Sequence, residues 1–362
     1  MIPIVSVSID EDIQQAVIQV LKSGQLAEGP TVKEFESLFS KFIGTQHAVA
    51  VNSGTAALHV SLLASGINPG DEVITTPFSF IASANCCLYC GAIPVFADID
   101  IHTFNISPEA IEKKITSKTK AVIVTHLYGQ PCDMDEIITI CKKYDLILIE
   151  DACQAHGAEY KGQKAGSFGI GCFSFYATKN MLTGEGGMIT TSNDTVAARA
   201  TAIRNHGRCG QYLHDMLGYN FRMTDIAASI GIGQLDKLEQ KNNKRKQNAS
   251  YLTEKIGQMK GLIPPSTAAD RTHVFHQYTI RVTDEFGLSR DELKEHLAKN
   301  GIGSSVIYPV PIHKQPYYQQ LGYADSLPVT ETVADQVLSI PVHPDLTIQD
   351  LQTIVQRLKD AK

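Results

Sequence analysis

Residues Phe173–Gly187 read F-S-F-Y-A-T-K-N-M-L-T-G-E-G-G. They place one lysine, Lys179, in a short polar turn between two β-type runs, Cys172–Tyr176 and Gly187–Thr191. A glycine-rich bend follows at Gly184, Gly186 and Gly187. A lysine in a polar turn ordinarily belongs to the solvated surface. The preceding stretch, L-I-L-I-E-D-A-C-Q-A-H at 146–156, changes that reading. Leu146–Glu150 reads as a buried strand that delivers Asp151 and Gln154 at its carboxyl end. A carboxylate at a strand end and a lysine in a later strand-loop match what pyridoxal phosphate (PLP) needs: an amine to form a Schiff base and an acid to partner the pyridinium nitrogen.

Working outward, short apolar runs recur as strand candidates at Ala48–Asn52, Glu72–Thr76, Pro94–Ala97 and Ala121–His126, with the three above and Met188–Thr191 as the core of the last. Helical patterns at Thr55–Ala64, Ala82–Cys90 and Met134–Lys143 lie between the earlier ones. Alternation of this kind predicts an α/β domain, with a mostly parallel central sheet and helices on both faces, whose ligand sits at the carboxyl ends of the strands. Ser53, Phe80, Asp151 and Lys179 all fall just past strand ends or in the loops that follow. Upstream, a first helix is expected over Asp10–Leu21, with Ile13, Val17 and Leu21 on one face and Gly24 as its stop. Thr31 and Glu34 form a capping-box pattern before Val32, Phe35, Phe39 and Phe42.

From about Asp236 the texture changes to a long polar helix, Q-L-D-K-L-E-Q-K-N-N-K-R-K-Q-N, whose basic run is expected on a solvated face; a DNA-binding helix is the remote alternative. A strand at Gln277–Val282, a helix capped by Ser289 with Glu292, a strand at Ser304–Tyr308 and a last helix from Thr347 complete a smaller α+β domain. The expected division is a large domain at 1–235 and a small C-terminal domain at 236–362.

The bulk numbers suit this plan. The 362 residues, 43% hydrophobic and 19% charged, can bury a large core, and a formal net charge of −6 gives no reason to expect nucleic acid or an anionic membrane as partner. The first residues lack the basic flank and apolar core of a signal peptide, no apolar run approaches the roughly 20 residues of a spanning helix, and the eight cysteines are scattered. A cytoplasmic protein with reduced thiols and no metal site is the expectation.

Eight motifs carry a resemblance over nearly the whole chain: G-P-T-V-K-E-F-E, V-N-S-G-T-A-A-L, P-G-D-E-V-I, E-D-A-C-Q-A-H-G-A, F-S-F-Y-A-T-K-N, T-G-E-G-G-M, G-Y-N-F-R-M-T-D and Y-P-V-P-I-H. In that order they resemble the DegT/StrS family of PLP-dependent nucleotide-sugar aminotransferases, which have the type I aspartate aminotransferase fold. The resemblance implies transfer of an amino group, with glutamate as donor, to a nucleotide-linked keto-deoxysugar. It also implies a homodimer with shared active sites.

The site residues can then be set out with their plainer readings beside them. Ser53-Gly54-Thr55 follows a strand and opens a helix, whose free N–H groups would cradle a phosphate. From local sequence alone Ser53 reads equally well as a plain N-cap; the resemblance assigns the cofactor phosphate to Gly54 and Thr55, with Ser174. It places Phe80 stacked on the pyridine, where Phe78 is the rival and a core phenylalanine the bland alternative. Asp151 partners the ring nitrogen, or else is a helix N-cap, and Gln154 reaches the ring hydroxyl. Lys179 bonds the cofactor and then moves protons; relatives with histidine there act as dehydratases. Asn220 matches a residue contributed by the neighbouring subunit. Tyr176, Glu185, Tyr308 and His313 match positions near the sugar-nucleotide, and T-G-E-G-G resembles members that aminate 4-keto sugars. Tyr176 stands where many relatives have histidine. Arg208 and Arg222 read as diphosphate or carboxylate contacts or as surface ion pairs, and His156 as structural. A sugar dehydratase, an amino-cyclitol aminotransferase and a PLP-binding regulator with little turnover are the rival readings.

Overall fold

All seven expected strands form one sheet in the computed structural model, which describes residues 1–361. Their order across the sheet is His47–Val51, Gly187–Thr191, Ile170–Ser174, Ile147–Asp151, Thr119–Thr125, Glu72–Thr75 and Ile93–Phe96. Gly187–Thr191 pairs antiparallel with both of its neighbours, and the other four pairings are parallel. Six strands therefore end on one side of the sheet, and the seventh begins there.

Burial on both faces explains the near-continuous apolar runs. Along Thr119–Thr125, Ala121 and Ile123 pack with Leu58, Val60 and Ile149 on one face. Val122 and Val124 face the other side, against Met134, Ile137 and Leu148. Nearer the sheet's other end, the second face is filled by phenylalanines. Phe39 lies 5.0 Å from Phe173 and 5.5 Å from Phe175, edge to face, the arrangement that aromatic quadrupoles favour.

Two helix expectations need correction at the N-terminus. The first helix, Glu11–Ser23, stops at Gly24 in the left-handed conformation as its sequence implies, but its apolar face is narrower. Ile13 is buried against Gly233 of the helix Asp225–Ile256, while Leu21 is exposed. The capping box at Thr31 and Glu34 does not form. Helix Pro30–Ile43 instead starts after Gly29, and its free N–H groups donate to a carboxylate far along the chain. The N–H groups of Gly29, Thr31 and Val32 donate to the buried carboxylate of Asp225, at 2.9, 3.3 and 3.0 Å.

That carboxylate belongs to the first turn of the long helix Asp225–Ile256, which begins well before Asp236 and runs unbroken past it. Its basic run is not wholly solvated. Arg245 is buried, and Asn242 and Asn248 donate to the carbonyls of His156 and His343 at 2.8 and 2.9 Å. The helix is polar because it satisfies backbone carbonyls inside the protein, which an apolar helix could not do. Its last turns enter a second core with Tyr278, Ile280, Leu293, Leu338 and Ile354.

The second core covers a three-stranded antiparallel sheet, Leu262–Ile263, Tyr278–Val282 and Val337–Ile340. Ser304–Tyr308 is not a strand. It makes one bridge, Ser305 to Ser339, on the free edge of Val337–Ile340, and then turns away to pack Ile307 and Tyr308 with Phe78 and Tyr128. The Ser289–Glu292 capping box forms as read, and Thr347 caps the last helix, Ile348–Lys359.

Asp225→Ala removes the acceptor for three N–H groups at once. A loss of roughly 2 kcal/mol or more is expected. Chemical denaturation should show a lowered midpoint, with Asp225→Asn in between; a midpoint unchanged by Asp225→Ala would refute the capping role.

Candidate active site

The carboxyl ends of the parallel strands open into a cavity of about 540 Å³. The helix Gly54–Ala64 begins at one wall. Ser53 caps it, accepting from the Ala56 N–H at 3.1 Å, and the N–H groups of Gly54 and Thr55 donate to no protein acceptor. This end of the helix is pressed close to the strand ends. A Cβ on Gly54 would lie 2.6 Å from Ser174 Cβ and 2.9 Å from Cys153 Sγ, so only glycine fits. Two free amides, a helix dipole and the Ser174 hydroxyl beside them fit a phosphate group, so the residues present suit the phosphate of PLP.

Asp151 ends the central strand and is almost fully buried. Its Oδ2 accepts from the Ser83 hydroxyl at 2.6 Å and its Oδ1 from the Cys153 N–H at 3.2 Å. Ser83 is in turn 2.9 Å from Ser79. Gln154 is engaged at both ends of its amide: Oε1 accepts from the Tyr128 N–H at 2.8 Å, and Nε2 donates to the Tyr308 hydroxyl at 3.1 Å. Burial raises the Tyr308 phenol well above its ordinary range and keeps it neutral.

Lys179 lies on an excursion between two neighbouring strands. The excursion is pinned at its feet, where the Phe175 N–H donates to Gly186 O at 2.8 Å and the Thr183 N–H to Phe175 O at 2.9 Å. The lysine is half-buried, and among the described residues its Nζ has no hydrogen-bond or ion-pair partner. Burial lowers its proton affinity, and the nearby Cys153 and Asp151 oppose that shift. A buried amine with a depressed pKa has a neutral fraction available to act as nucleophile or base.

Ten of the twelve residues that the resemblance assigns to cofactor or substrate line this one cavity: Gly54, Thr55, Phe80, Asp151, Gln154, Ser174, Tyr176, Lys179, Glu185 and Tyr308. Phe80 is 58% exposed and faces the cavity, whereas Phe78 is wholly buried between Tyr128 and Tyr308. Two residues lie elsewhere. His313 is buried against Phe96, with Nε2 3.2 Å from Glu331, because the chain turns into the short helix Ile312–Lys314 after Pro311. It does not line the cavity. Asn220 is exposed on the segment after the hairpin Arg208–His214 and does not line it either. Arg208 and Arg222 line a separate groove of about 670 Å³. His156 is fully buried between Phe173 and Phe175, where burial first and the Lys179 charge second push it down to about 3.

The cavity also contains residues that one sequence did not reveal. Ser79 and Ser83 sit four apart in T-P-F-S-F-I-A-S-A-N, a spacing that places both on one side of the turn into helix Ala82–Tyr89. His276 and Gln277 arrive from just before the strand Tyr278–Val282, far along the chain from both Glu185 and Tyr308, and no local signal marks them.

Comparison with known proteins agrees with this geometry. Residues 7–359 match the model of the DegT/DnrJ/EryC1/StrS aminotransferase family. The chain is 40% identical to GDP-perosamine synthase of Caulobacter vibrioides, over 91% of this chain and 90% of that protein. It superposes on S. venezuelae DesV, solved in complex with a ketimine intermediate, with TM-score 0.92 and 36% identity, over 97% of this chain and 94% of that one. It likewise matches NtdA of Bacillus subtilis, solved with bound cofactor PMP, with TM-score 0.90 and 32% identity over 97% of this chain and 81% of that chain.

In cofactor-free protein, the buried amine makes a prediction with a definite sign. The folded pKa of Lys179 lies below its ordinary 10.5, so the folded state gives up that proton first and stability rises with pH through that window. Lys179→Met should therefore raise the melting temperature at pH 7, and paired melts should show the gap narrowing toward pH 10. A gap that stays constant with pH would contradict the assignment.

Proposed function

The chain belongs to the DegT/DnrJ/EryC1/StrS aminotransferase family, and on that premise we propose that it is a PLP-dependent aminotransferase acting on a nucleotide-linked keto-deoxysugar. The substrate class is a 4-keto-6-deoxy sugar and the amino donor is glutamate. The observation that carries the reading is the meeting, in one cavity, of an unpaired half-buried lysine, a hydrogen-bonded buried carboxylate and a free helix N-terminus.

When bound, PLP supplies the carbonyl carbon that takes the amino group and a ring that accepts electrons from the carbon being deprotonated. The residues of the chain do the rest. Gly54 and Thr55 would hold the phosphate through their N–H groups, with Ser174 beside them. Asp151 would partner the ring nitrogen and favour its protonated form. Phe80 would cover the ring, and Gln154, fixed by Tyr128 and Tyr308, would bind the ring hydroxyl. Lys179 would hold the cofactor through its Nζ, and the same Nζ would serve as the base that moves the proton at the amino-bearing carbon. Donor and acceptor use the site in turn, so the kinetics are ping-pong.

Tyr176 and Glu185 support the sugar assignment, since both lie on the exposed side of the cavity, where a large substrate would enter. The similarity to GDP-perosamine synthase supports a nucleotide-linked sugar. A homodimer is part of the proposal. Asn220 lies outside its own cavity, and the same segment exposes Tyr212, Leu213 and Leu217, an apolar surface that a second copy would cover. Among the described residues no helix is long and apolar enough to cross a membrane, and a cytoplasmic location is proposed with the rest.

Single-turnover absorbance tests the whole reading. Glutamate should convert the cofactor spectrum, and one sugar from a panel of UDP-, dTDP- and GDP-linked 4-keto-6-deoxysugars should restore it. Lys179→Ala should slow both half-reactions by at least about a hundredfold. If glutamate changes the spectrum and no keto sugar reverses it, the sugar assignment is wrong; if glutamate changes nothing, the aminotransferase reading falls.

A further inference from the structure

We propose that Ser83, backed by Ser79, is a positioning residue that sets the carboxylate of Asp151 against the ring nitrogen of PLP. The inference rests on the cofactor reading above and adds two residues to it. Ser83 is wholly buried and Ser79 nearly so, and both line the cavity beside Asp151. The Ser83 hydroxyl has one proton, and at 2.6 Å it goes to Asp151 Oδ2. The 2.9 Å contact between the two serines can then run only one way, with Ser79 donating to Ser83. A directed chain results, Ser79 to Ser83 to Asp151. Each donor in such a chain polarises the next and strengthens the last bond, the one to the charged group.

The geometry gives this chain a specific task. A carboxylate can rotate about its Cβ–Cγ bond, and one donor alone leaves that rotation free. Asp151 has a donor on each oxygen, Ser83 on Oδ2 and the Cys153 N–H on Oδ1. The two together lock the plane of the carboxylate. Each oxygen keeps a second lone pair free, and a ring N–H can take one of them. The Cys153 bond is long, at 3.2 Å, and comes from the backbone, so the short hydroxyl bond is the one that side-chain chemistry controls. Burial makes the arrangement matter, because a nearly buried carboxylate that loses a donor is left under-satisfied.

A ligand that differs only at the acting atom separates positioning from mere packing. Equilibrium binding to cofactor-free protein should be measured for PLP and for its 1-deaza analogue, which has carbon in place of the ring nitrogen. Ser83→Ala should weaken PLP binding about tenfold and leave the deaza analogue unchanged, and Ser83→Thr, which keeps the hydroxyl, should recover most of the loss. Equal losses for both ligands would mean that Ser83 only supports the fold, and no loss for PLP would mean that it does nothing to the carboxylate; either result overturns the proposal. Should Ser83→Ala not fold, Ser79→Ala carries the same comparison, with about a threefold loss expected for PLP alone and the same two results against it. Wild-type protein that binds neither ligand would instead remove the cofactor reading on which the proposal stands.

Discussion

The close approach of one helix end to three strand ends governs the rest of the structure. Gly187 begins the only antiparallel strand of the sheet, and a Cβ there would lie 2.3 Å from the Ser53 carbonyl oxygen. Gly54 meets Ser174 and Cys153 at similar range. With no side chain at either position, the backbone of helix Gly54–Ala64 seats directly on the sheet. Its free N–H groups, the Ser174 hydroxyl and the end of the Asp151 strand then share one small volume. The lysine-bearing excursion leaves the sheet at Ser174 and rejoins it at Gly187, so the same contact fixes both feet of that loop.

Period-two alternation decides what two adjacent acids do. Glu150 and Asp151 follow each other on the central strand and point to opposite faces. Glu150 is wholly buried. It accepts from the N–H groups of Gly166, Phe168 and Gly169 at 2.8, 2.7 and 2.8 Å and pairs with His126 at 3.0 Å. Every one of those partners belongs to the scaffold, and the residue holds a loop in place. Asp151 has fewer donors and an open side toward the cavity. One acid is spent on structure so that its neighbour can be left incompletely bonded at the site.

The large sheet was legible because buried parallel strands leave apolar runs of the right length, and glycines and polar turns separate them. The cavity was legible for a related reason, since its groups lie just past the ends of those runs. What escaped depends on contacts between distant residues. Nothing near Thr31 says that its helix is capped from Asp225, and nothing near Arg245 says that the polar helix is buried. Ser304–Tyr308 has β-type residues but touches the edge of Val337–Ile340 only through the Ser305–Ser339 bridge, a tertiary choice that local propensity does not encode. His313 shares a motif with Tyr308, yet a short helix turns it away into the core. Ser79 and Ser83 read as ordinary small residues until Asp151 is set beside them.

The capping of Pro30–Ile43 by Asp225 has a consequence for the order of events on the ribosome. The helix and the carboxylate that completes its amino end are separated by 193 to 196 residues of chain. While the first emerges from the exit tunnel, the second has not been made. Helix Asp225–Ile256 is also an element that the first two helices pack against. Phe35 and Phe39 have partners in Phe173 and Phe175 of the sheet, made earlier in the chain, but the N-terminal cover is sealed only after residue 225 has left the tunnel.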